Sequence, residues 1–177
     1  MAKNSTIYKA NLSIADISRD YYADHQLTLA CHPSETTERL MMRILSFVLN
    51  ADERLNPAGG ISEADEPDFW MKDLTGSIDL WIEVGQPDEK RILKACGRSN
   101  QVKIYNYGTK PQIWASSIES KIAKTKNLSI FSINPESSKA FASFAERNMD
   151  LQITKDDDEL WIRSKTNAVS IDITVLR

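Results

Sequence analysis

The amino-acid sequence predicts an α/β (α+β) fold, with one mixed β-sheet flanked by helices and extra antiparallel strands at the two ends of the chain. Through the middle of the chain, segments with apolar residues at every second position alternate with segments of helical periodicity. This alternation is typical of right-handed βαβ crossovers and parallel pairing. Both ends are rich in strand patterns, which favours antiparallel additions. The 177 residues suit one domain, so residues 1–177 are expected to form a single domain.

The N-terminal part of the chain predicts two strands followed by a long helix. The strands cover residues 6–15 and 26–31, and a polar, tyrosine-containing connection separates them. Ser34 is expected to cap a helix that runs to about Asn50, because its hydroxyl can accept a hydrogen bond from the first turn. Glu38 suits the positively charged start of that helix.

Residues 77–84 form the most regular predicted strand. The even-numbered positions from 78 to 84 are all apolar, whereas the odd-numbered positions carry a tryptophan between two carboxylates, which are Asp79, Trp81 and Glu83. A large aromatic residue opposite a continuous apolar face indicates a central strand that is covered on both faces. The two carboxylates are therefore expected in a largely buried setting.

The rest of the chain continues the alternation of strands and helices. Residues 56–60 are predicted to be a loop, and residues 69–74 fit either a strand or a helical turn. The later elements are a helix from Pro87 to Gly97, a strand over 102–107, a helix over 111–121, a strand over 128–133, a helix over 136–147, and strands over 151–154, 159–163 and 169–175. The aspartates at 156–158 are expected to form a hairpin turn.

Composition argues against several classes of function. The formal net charge of -3 disfavours a strong non-specific nucleic-acid binder, but it does not argue against an enzyme that acts on nucleic acid. No stretch approaches the roughly 18 apolar residues of a membrane helix, and the N-terminus lacks a signal-peptide pattern. A cytoplasmic protein without a membrane partner is therefore expected. Cys31 and Cys96 lack metal-ligand spacing, so zinc is disfavoured, and a reduced buried pair is favoured over a disulfide.

The sharpest chemical feature is the pair of carboxylates on the strand over residues 77–84. Asp79 and Glu83 share one face, and a buried carboxylate requires a partner such as a divalent cation, a basic side chain or water. Their Cα atoms are about 13 Å apart on a regular strand, so a shared ion needs a bend or a further ligand, for which Glu38 is the best candidate. The structural alternative pairs them with Arg39 or Arg43 as salt bridges.

Several segments resemble the YaeQ family. They include His32-Pro33-Ser34-Glu35-Thr36, Ala51-Asp52-Glu53-Arg54-Leu55 and Ile78-Asp79-Leu80-Trp81-Ile82-Glu83 with Gly85. The resemblance covers essentially the whole chain. It implies the PD-(D/E)XK fold, which is restriction-endonuclease-like and consists of a mixed sheet flanked by helices. It implies much less about activity.

The catalytic pattern of that fold matches this chain in part. Glu83-Val84-Gly85 matches the (D/E)xK element, with Gly85 in place of the lysine, and Glu38 matches an additional helix carboxylate. Asp79 can serve as the upstream aspartate, although the usual pattern places that residue on a separate strand. Pro67-Asp68 also matches, but it lies in an acidic segment and is interpreted as coincidental.

The missing lysine requires a substitute, because phosphodiester hydrolysis needs a positioned water and neutralised charge. Lys94, on the following helix, can reach back towards the strand, and Lys103 on the next strand is a second candidate. A solvated helix face is the commoner environment for a lysine such as Lys94.

The leading hypothesis is a Mg²⁺- or Mn²⁺-dependent phosphodiesterase of the nuclease-like class that acts on nucleic acid. Asp79 and Glu83 would bind the metal with help from Glu38, and Lys94 would position phosphate or water. One alternative is a non-catalytic nuclease-fold protein linked to nucleic acid or transcription, and another is a site for a small phosphate-bearing ligand. Arginine side chains on Asp79 and Glu83 would favour a non-catalytic scaffold. The sequence leaves the oligomeric state open.

Overall fold

The computed structural model describes residues 4–177, which contain two mixed β-sheets and four helices. The chain divides into two compact units. The first consists of the chain up to Val48 together with Asn134–Asp172, and the second of Leu49–Ile133 together with Ile173–Arg177. Within the described residues, no helix is long and apolar enough to cross a membrane.

Most regular elements follow the order that the sequence predicts, but a short strand begins the predicted loop over 56–60, and the strand predicted over 169–175 is two strands in different sheets. The strands are β1 (Thr6–Asp16), β2 (Tyr21–Cys31), β3 (Leu55–Pro57), β4 (Phe69–Lys72), β5 (Ile78–Val84), β6 (Ser99–Asn106), β7 (Leu128–Ile133), β8 (Asn148–Asp156), β9 (Glu159–Arg163), β10 (Ala168–Ser170) and β11 (Ile173–Val175). The helices are α1 (Thr37–Leu49), α2 (Glu89–Arg98), α3 (Pro111–Ile122) and α4 (Pro135–Ala142).

The first unit contains a five-stranded sheet in the order β10-β9-β8-β1-β2. β1 pairs antiparallel with β2 and parallel with β8, and the other neighbours pair antiparallel. Alternate residues of β1, β2 and β8 are buried, so one face of this sheet forms the core of the unit. The guanidinium of Arg43 in α1 donates to the carbonyl oxygen of Ala30 in β2 at 3.2 Å, which places this helix against the sheet.

The second unit contains a six-stranded sheet in the order β11-β7-β6-β5-β4-β3. β5, β6 and β7 are parallel, whereas β3, β4 and β11 join antiparallel. Trp81 in β5 belongs to a buried cluster with residues of β6, β7, α2 and α3, including Ile104, Ile92 and Ile118. Every residue of β5 except Asp79 is buried, which confirms the prediction of a central strand covered on both faces.

The prediction of a single mixed sheet is wrong, because the strands form two sheets. β1 makes an eight-pair parallel ladder with β8, from Lys9 with Asn148 to Asp16 with Lys155, and this ladder draws the N-terminal strands into a sheet with the C-terminal hairpin. Parallel pairing of β1 also differs from the antiparallel additions expected at both ends. The antiparallel additions are otherwise confirmed, because β1 pairs antiparallel with β2, β9 pairs antiparallel with β8 and β10, and β11 pairs antiparallel with β7 in the other sheet.

Element boundaries differ from prediction where a cap or a ladder extends or shortens an element. β2 begins at Tyr21 because its ladder with β1 continues to Asp16, so the predicted connection is shorter. Thr36, and not Ser34, caps α1, since its Oγ1 accepts the N–H of Arg39 at 3.1 Å. Ser34 instead lies 2.7 Å from His32 Nδ1.

Three later boundaries are also corrected. Asp88 caps α2 by accepting the N–H of Arg91 at 2.8 Å, which leaves Pro87 outside the helix. Gly97 lies inside α2, because the helix continues to Arg98. α4 ends at Ala142, five residues before the predicted end.

Candidate functional site

Glu83 is a buried carboxylate near the C-terminal end of β5, with an exposure of 4%. Its Oε1 accepts two hydrogen bonds, one from Trp81 Nε1 at 2.9 Å and one from Arg91 Nε at 2.8 Å. Trp81 lies on the same face of β5, and Arg91 projects from the first turn of α2. The strand and the following helix therefore hold this carboxylate between an indole and a guanidinium.

Asp68 is a second buried carboxylate beside Glu83. Its residue exposure is 0%, and its Oδ2 accepts the N–H of Val84 at 2.9 Å. The N–H of Asp68 donates to the carbonyl oxygen of Ile82 at 3.0 Å. The two residues that flank Glu83 thus both bond to Asp68, which adjoins the start of β4 on the neighbouring strand.

Gly60 permits a close approach to the Asp68 carboxylate. An ideal Cβ on Gly60 would lie 3.0 Å from Asp68 Oδ1, and the residue has a φ of +54°, a conformation that favours glycine. The chain before β4 is therefore shaped around this carboxylate.

Burial is the main influence on the ionisation of Glu83. Loss of hydration raises the pKa of its carboxyl group above the ordinary value of 4.5, and the nearby Asp68 raises it further. The ion pair with Arg91 and the hydrogen bond from Trp81 act in the opposite direction, but burial outweighs them.

Asp79 lies in a different environment, four residues earlier on β5. Its side chain is 33% exposed, and it contacts Arg54 Nη1 at 3.4 Å and Asn100 Nδ2 at 3.0 Å. Four residues of strand separate its Cα from that of Glu83 by about 13 Å, and the recorded partners of the two carboxylates are different. The predicted shared metal site of Asp79 and Glu83 gains no support from this arrangement.

The structural alternative predicts a salt bridge from a helix residue such as Arg39 or Arg43, and Arg91 of α2 is the helix arginine that contacts Glu83. Arg39 and Arg43 both contact Glu35, at 3.0 and 3.1 Å. Arginines do contact the β5 carboxylates, but they come from the loop before β3 and from α2.

The other predicted site residues make contacts of their own. Glu38 lies in the first unit, where its Oε1 accepts the hydroxyl of Ser138 at 2.6 Å, whereas Glu83 and Asp79 lie in the second unit. Lys94 forms an ion pair with Asp65. The second candidate lysine, Lys103, donates to Asn50 Oδ1 at 2.8 Å.

Asp68 and Glu83 each carry a carboxylate, the kind of oxygen group that binds Mg²⁺ in proteins. Mg²⁺ is commonly held by one or two carboxylates and completes its shell with water and substrate phosphate. Among residues 4–177, no cluster of three or more histidine, cysteine, aspartate or glutamate side chains is arranged for a metal ion. Asp68 and Glu83 are two carboxylates, fewer than such a cluster contains.

A family model described as YaeQ protein matches residues 1–173 of the chain. The chain belongs to the YaeQ family. The protein named YaeQ from Salmonella typhi is 42% identical, and the one from Escherichia coli K12 is 41% identical. Both matches cover 98% of this chain and 97% of the relative. These names state no activity.

Two crystal structures of YaeQ proteins share this fold. The one from Xanthomonas axonopodis pv. citri has a TM-score of 0.94 at 39% identity, and the match covers 98% of each chain. The one from Pseudomonas syringae has a TM-score of 0.94 at 28% identity, and the match covers 98% of this chain and 96% of that one.

Two residues of the site in this YaeQ-family chain lie outside the predicted set. Asp68 carried a signal, because it follows a proline directly before a strand, but its acidic surroundings suggested a solvated loop. Arg91 carried only the general signal of a basic residue on the helix that follows β5. Its contact with Glu83 depends on how α2 packs against the sheet, which the sequence does not specify.

Gly85 occupies the lysine position of the nuclease pattern in a backbone conformation that other residues rarely adopt. Its φ is +111°, while its N–H donates to the carbonyl oxygen of Tyr105 at 2.9 Å. A lysine at this position would be strained whatever space surrounds it. The backbone therefore disfavours a lysine at this position, and Arg91 of α2 is a basic side chain that contacts Glu83.

We expect Gly85→Ala to lower the free energy of unfolding by about 1–3 kcal/mol, the cost of a strained backbone. Gly97→Ala is the matched control, because Gly97 lies in α2 with no heavy atom within 4 Å of the added Cβ. It is expected to raise stability by roughly 0.5–1 kcal/mol. Urea unfolding followed by circular dichroism measures both. Equal effects of the two changes would contradict the strain at Gly85.

Proposed function

We propose that this YaeQ-family chain is a Mg²⁺- or Mn²⁺-dependent phosphodiesterase of the restriction-endonuclease-like PD-(D/E)XK class, acting on nucleic acid in the cytoplasm. Asp68 and Glu83 replace Asp79 and Glu83 as the proposed metal ligands. The observation that carries the proposal is the pair of hydrogen bonds from Asp68 to the residues on either side of Glu83. These bonds hold the buried residue Asp68, which directly precedes β4, against the buried Glu83 of β5.

The nuclease pattern agrees with Asp68 better than with Asp79. That pattern places its upstream aspartate on a separate strand from the (D/E)xK element, and Asp68 adjoins β4 whereas Glu83 lies in β5. Pro67-Asp68 followed by Glu83-Val84-Gly85 reproduces the pattern except at the lysine. The interpretation of Pro67-Asp68 as coincidental is accordingly abandoned in this proposal.

Arg91 is the proposed replacement for the lysine. Its guanidinium lies against Glu83 and stays charged at any physiological pH, so it can stabilise negative charge that develops on a phosphoryl group. It cannot accept a proton from water, because it has no acceptor atom. A bound divalent ion would supply charge neutralisation and lower the pKa of a bound water. Trp81 holds Oε1 of Glu83 in position through its indole N–H.

A second candidate function is a non-catalytic nuclease-fold protein that binds nucleic acid. The contacts of Arg91 with Glu83 and of Arg54 with Asp79 favour it, because they satisfy both carboxylates of β5 without a metal. The nearby Asp68 argues for the metal-dependent enzyme instead, since a second carboxyl group opposes the ionisation of Glu83 and favours a divalent cation.

Hydrolysis of end-labelled DNA and RNA oligonucleotides tests the proposal in Mg²⁺, in Mn²⁺ and in EDTA. The wild type is expected to cleave only with metal, whereas Asp68→Asn and Glu83→Gln are expected to fall to the EDTA background. Asp79→Asn is the matched control and should retain cleavage, because it removes a carboxylate from the same strand outside the proposed site. No metal-dependent cleavage by the wild type would favour the non-catalytic candidate.

A further inference from the structure

One face of α2 carries three cations that all contact the same short segment. Arg91, Lys94 and Arg98 are spaced by three and four residues, so they lie on one side of the helix. They contact the segment Ala64–Glu66, which precedes Asp68 and is called the 64–66 segment below.

Each of the three side chains on this face contacts the 64–66 segment. Arg91 Nη1 donates to the carbonyl oxygen of Ala64 at 2.5 Å, and Arg91 Nη2 donates to that of Glu66 at 2.6 Å. Arg98 Nη1 donates to the carbonyl oxygen of Asp65 at 2.8 Å. Lys94 forms an ion pair with the Asp65 carboxylate. Three successive residues thus present oxygens to three cations.

This cationic face is continuous with the candidate metal site. The same Arg91 guanidinium donates through Nε to Glu83 and through both Nη atoms to the 64–66 segment. The guanidinium of Arg98 lies over the ring of Trp81, 5.1 Å from its centroid, and Trp81 bonds to Glu83. A ligand on this face would therefore be adjacent to the carboxylates.

We propose that the Arg91, Lys94 and Arg98 face binds the phosphodiester backbone of a single-stranded nucleic acid, and that the 64–66 segment is an internal competitor for it. The identity of this ligand depends on the proposed function. Arginine forks and lysine are the side chains that bind phosphate, and charge-assisted bonds to phosphate are stronger than bonds to neutral carbonyl oxygens. A phosphate backbone can therefore replace the peptide oxygens that now contact this face.

The 64–66 segment is built to leave without unfolding its base. The side chains of the Lys94–Asp65 pair are 53% and 73% exposed, so water and salt screen their attraction. The base of the loop is closed outside the 64–66 segment, since Gly60 N donates to the carbonyl oxygen of Pro67 at 2.8 Å. The tip can therefore move while Asp68 stays in place.

Fluorescence anisotropy with labelled single-stranded DNA and RNA of equal length, in EDTA, tests this inference. Asp65→Ala is expected to tighten binding by about fivefold, the upper range of one exposed ion pair. Glu53→Ala is the matched control, because Glu53 is an exposed acid elsewhere in the same unit and its removal changes the net charge equally. Equal effects of Asp65→Ala and Glu53→Ala would overturn the competitor role.

The cationic face is tested by Lys94→Ala in the Asp65→Ala background. This change should weaken binding and reduce the slope of log K against log salt by about 0.7, the value for one phosphate contact on a single strand. Lys90→Ala, on the exposed surface of the same helix, is the matched control. Equal losses of affinity from the two lysine substitutions would overturn the inference, and so would binding too weak to detect in every variant. The inference would also be overturned if millimolar inorganic phosphate displaced the oligonucleotide from this face.

Because binding is measured without metal and without turnover, this outcome is separate from that of the proposed enzyme. Tightening by Asp65→Ala without metal-dependent cleavage would support the binding face and contradict the phosphodiesterase. Metal-dependent cleavage without tighter binding by Asp65→Ala would support the phosphodiesterase and contradict the competitor role of the 64–66 segment.

Discussion

Replacing Arg43 with methionine is expected to lower the free energy of unfolding by about 3 kcal/mol, the cost of breaking a buried ion pair. Arg43 Nη1 lies 3.2 and 3.1 Å from the two oxygens of Glu35, and the side chains of this pair are 6% and 0% exposed. It also donates to the carbonyl oxygen of Ala30. Removing the guanidinium leaves Glu35 buried with Arg39 as its remaining arginine partner.

Arg54→Met is the matched control for Arg43→Met. Arg54 pairs with Asp79 and Asp52, and its side chain is 57% exposed, so its loss should lower stability by at most about 1 kcal/mol. Urea unfolding followed by circular dichroism measures both variants. A loss at Arg43 no larger than the loss at Arg54 would show that the buried pair contributes little to stability.

The second large effect is expected at the carboxylates of the candidate site. Asp68→Asn and Glu83→Gln should each weaken binding of Mg²⁺ and Mn²⁺ by more than about 100-fold, because loss of a direct ligand exceeds the 10–100-fold cost of losing an outer partner. Both substitutions keep an amide oxygen that can accept the existing bonds from Val84 N–H and Trp81 Nε1. The variants are therefore expected to fold, which circular dichroism checks.

The sequence predicts the elements whose signals are local. β7 and β9 have the predicted bounds, because short runs of apolar or alternating residues end at clear turn residues. The strict alternation of β5 correctly indicates a central strand. By contrast, the parallel ladder of β1 with β8 joins residues as distant as Lys9 and Asn148, and no local pattern encodes that pairing.

The candidate site is likewise predictable only where its signals are local. Alternation places Glu83 and Trp81 on one face of β5, and this face was predicted. It gives no information on which neighbouring strand supplies a second carboxylate, so the local pattern favours Asp79 over Asp68. Arg91 contacts Glu83 only through the packing of α2 on the sheet. No pattern of adjacent residues in the sequence therefore predicts the contact of Arg91 with Glu83.

The most direct test of the metal-dependent site is isothermal titration of Mg²⁺ and Mn²⁺ into the wild type, Asp68→Asn, Glu83→Gln and Asp79→Asn, with and without a non-cleavable oligonucleotide. The proposed site predicts binding by the wild type and by Asp79→Asn, and loss of binding in the other two. Retained binding in Asp68→Asn and Glu83→Gln, or no binding by the folded wild type even with oligonucleotide, would contradict it.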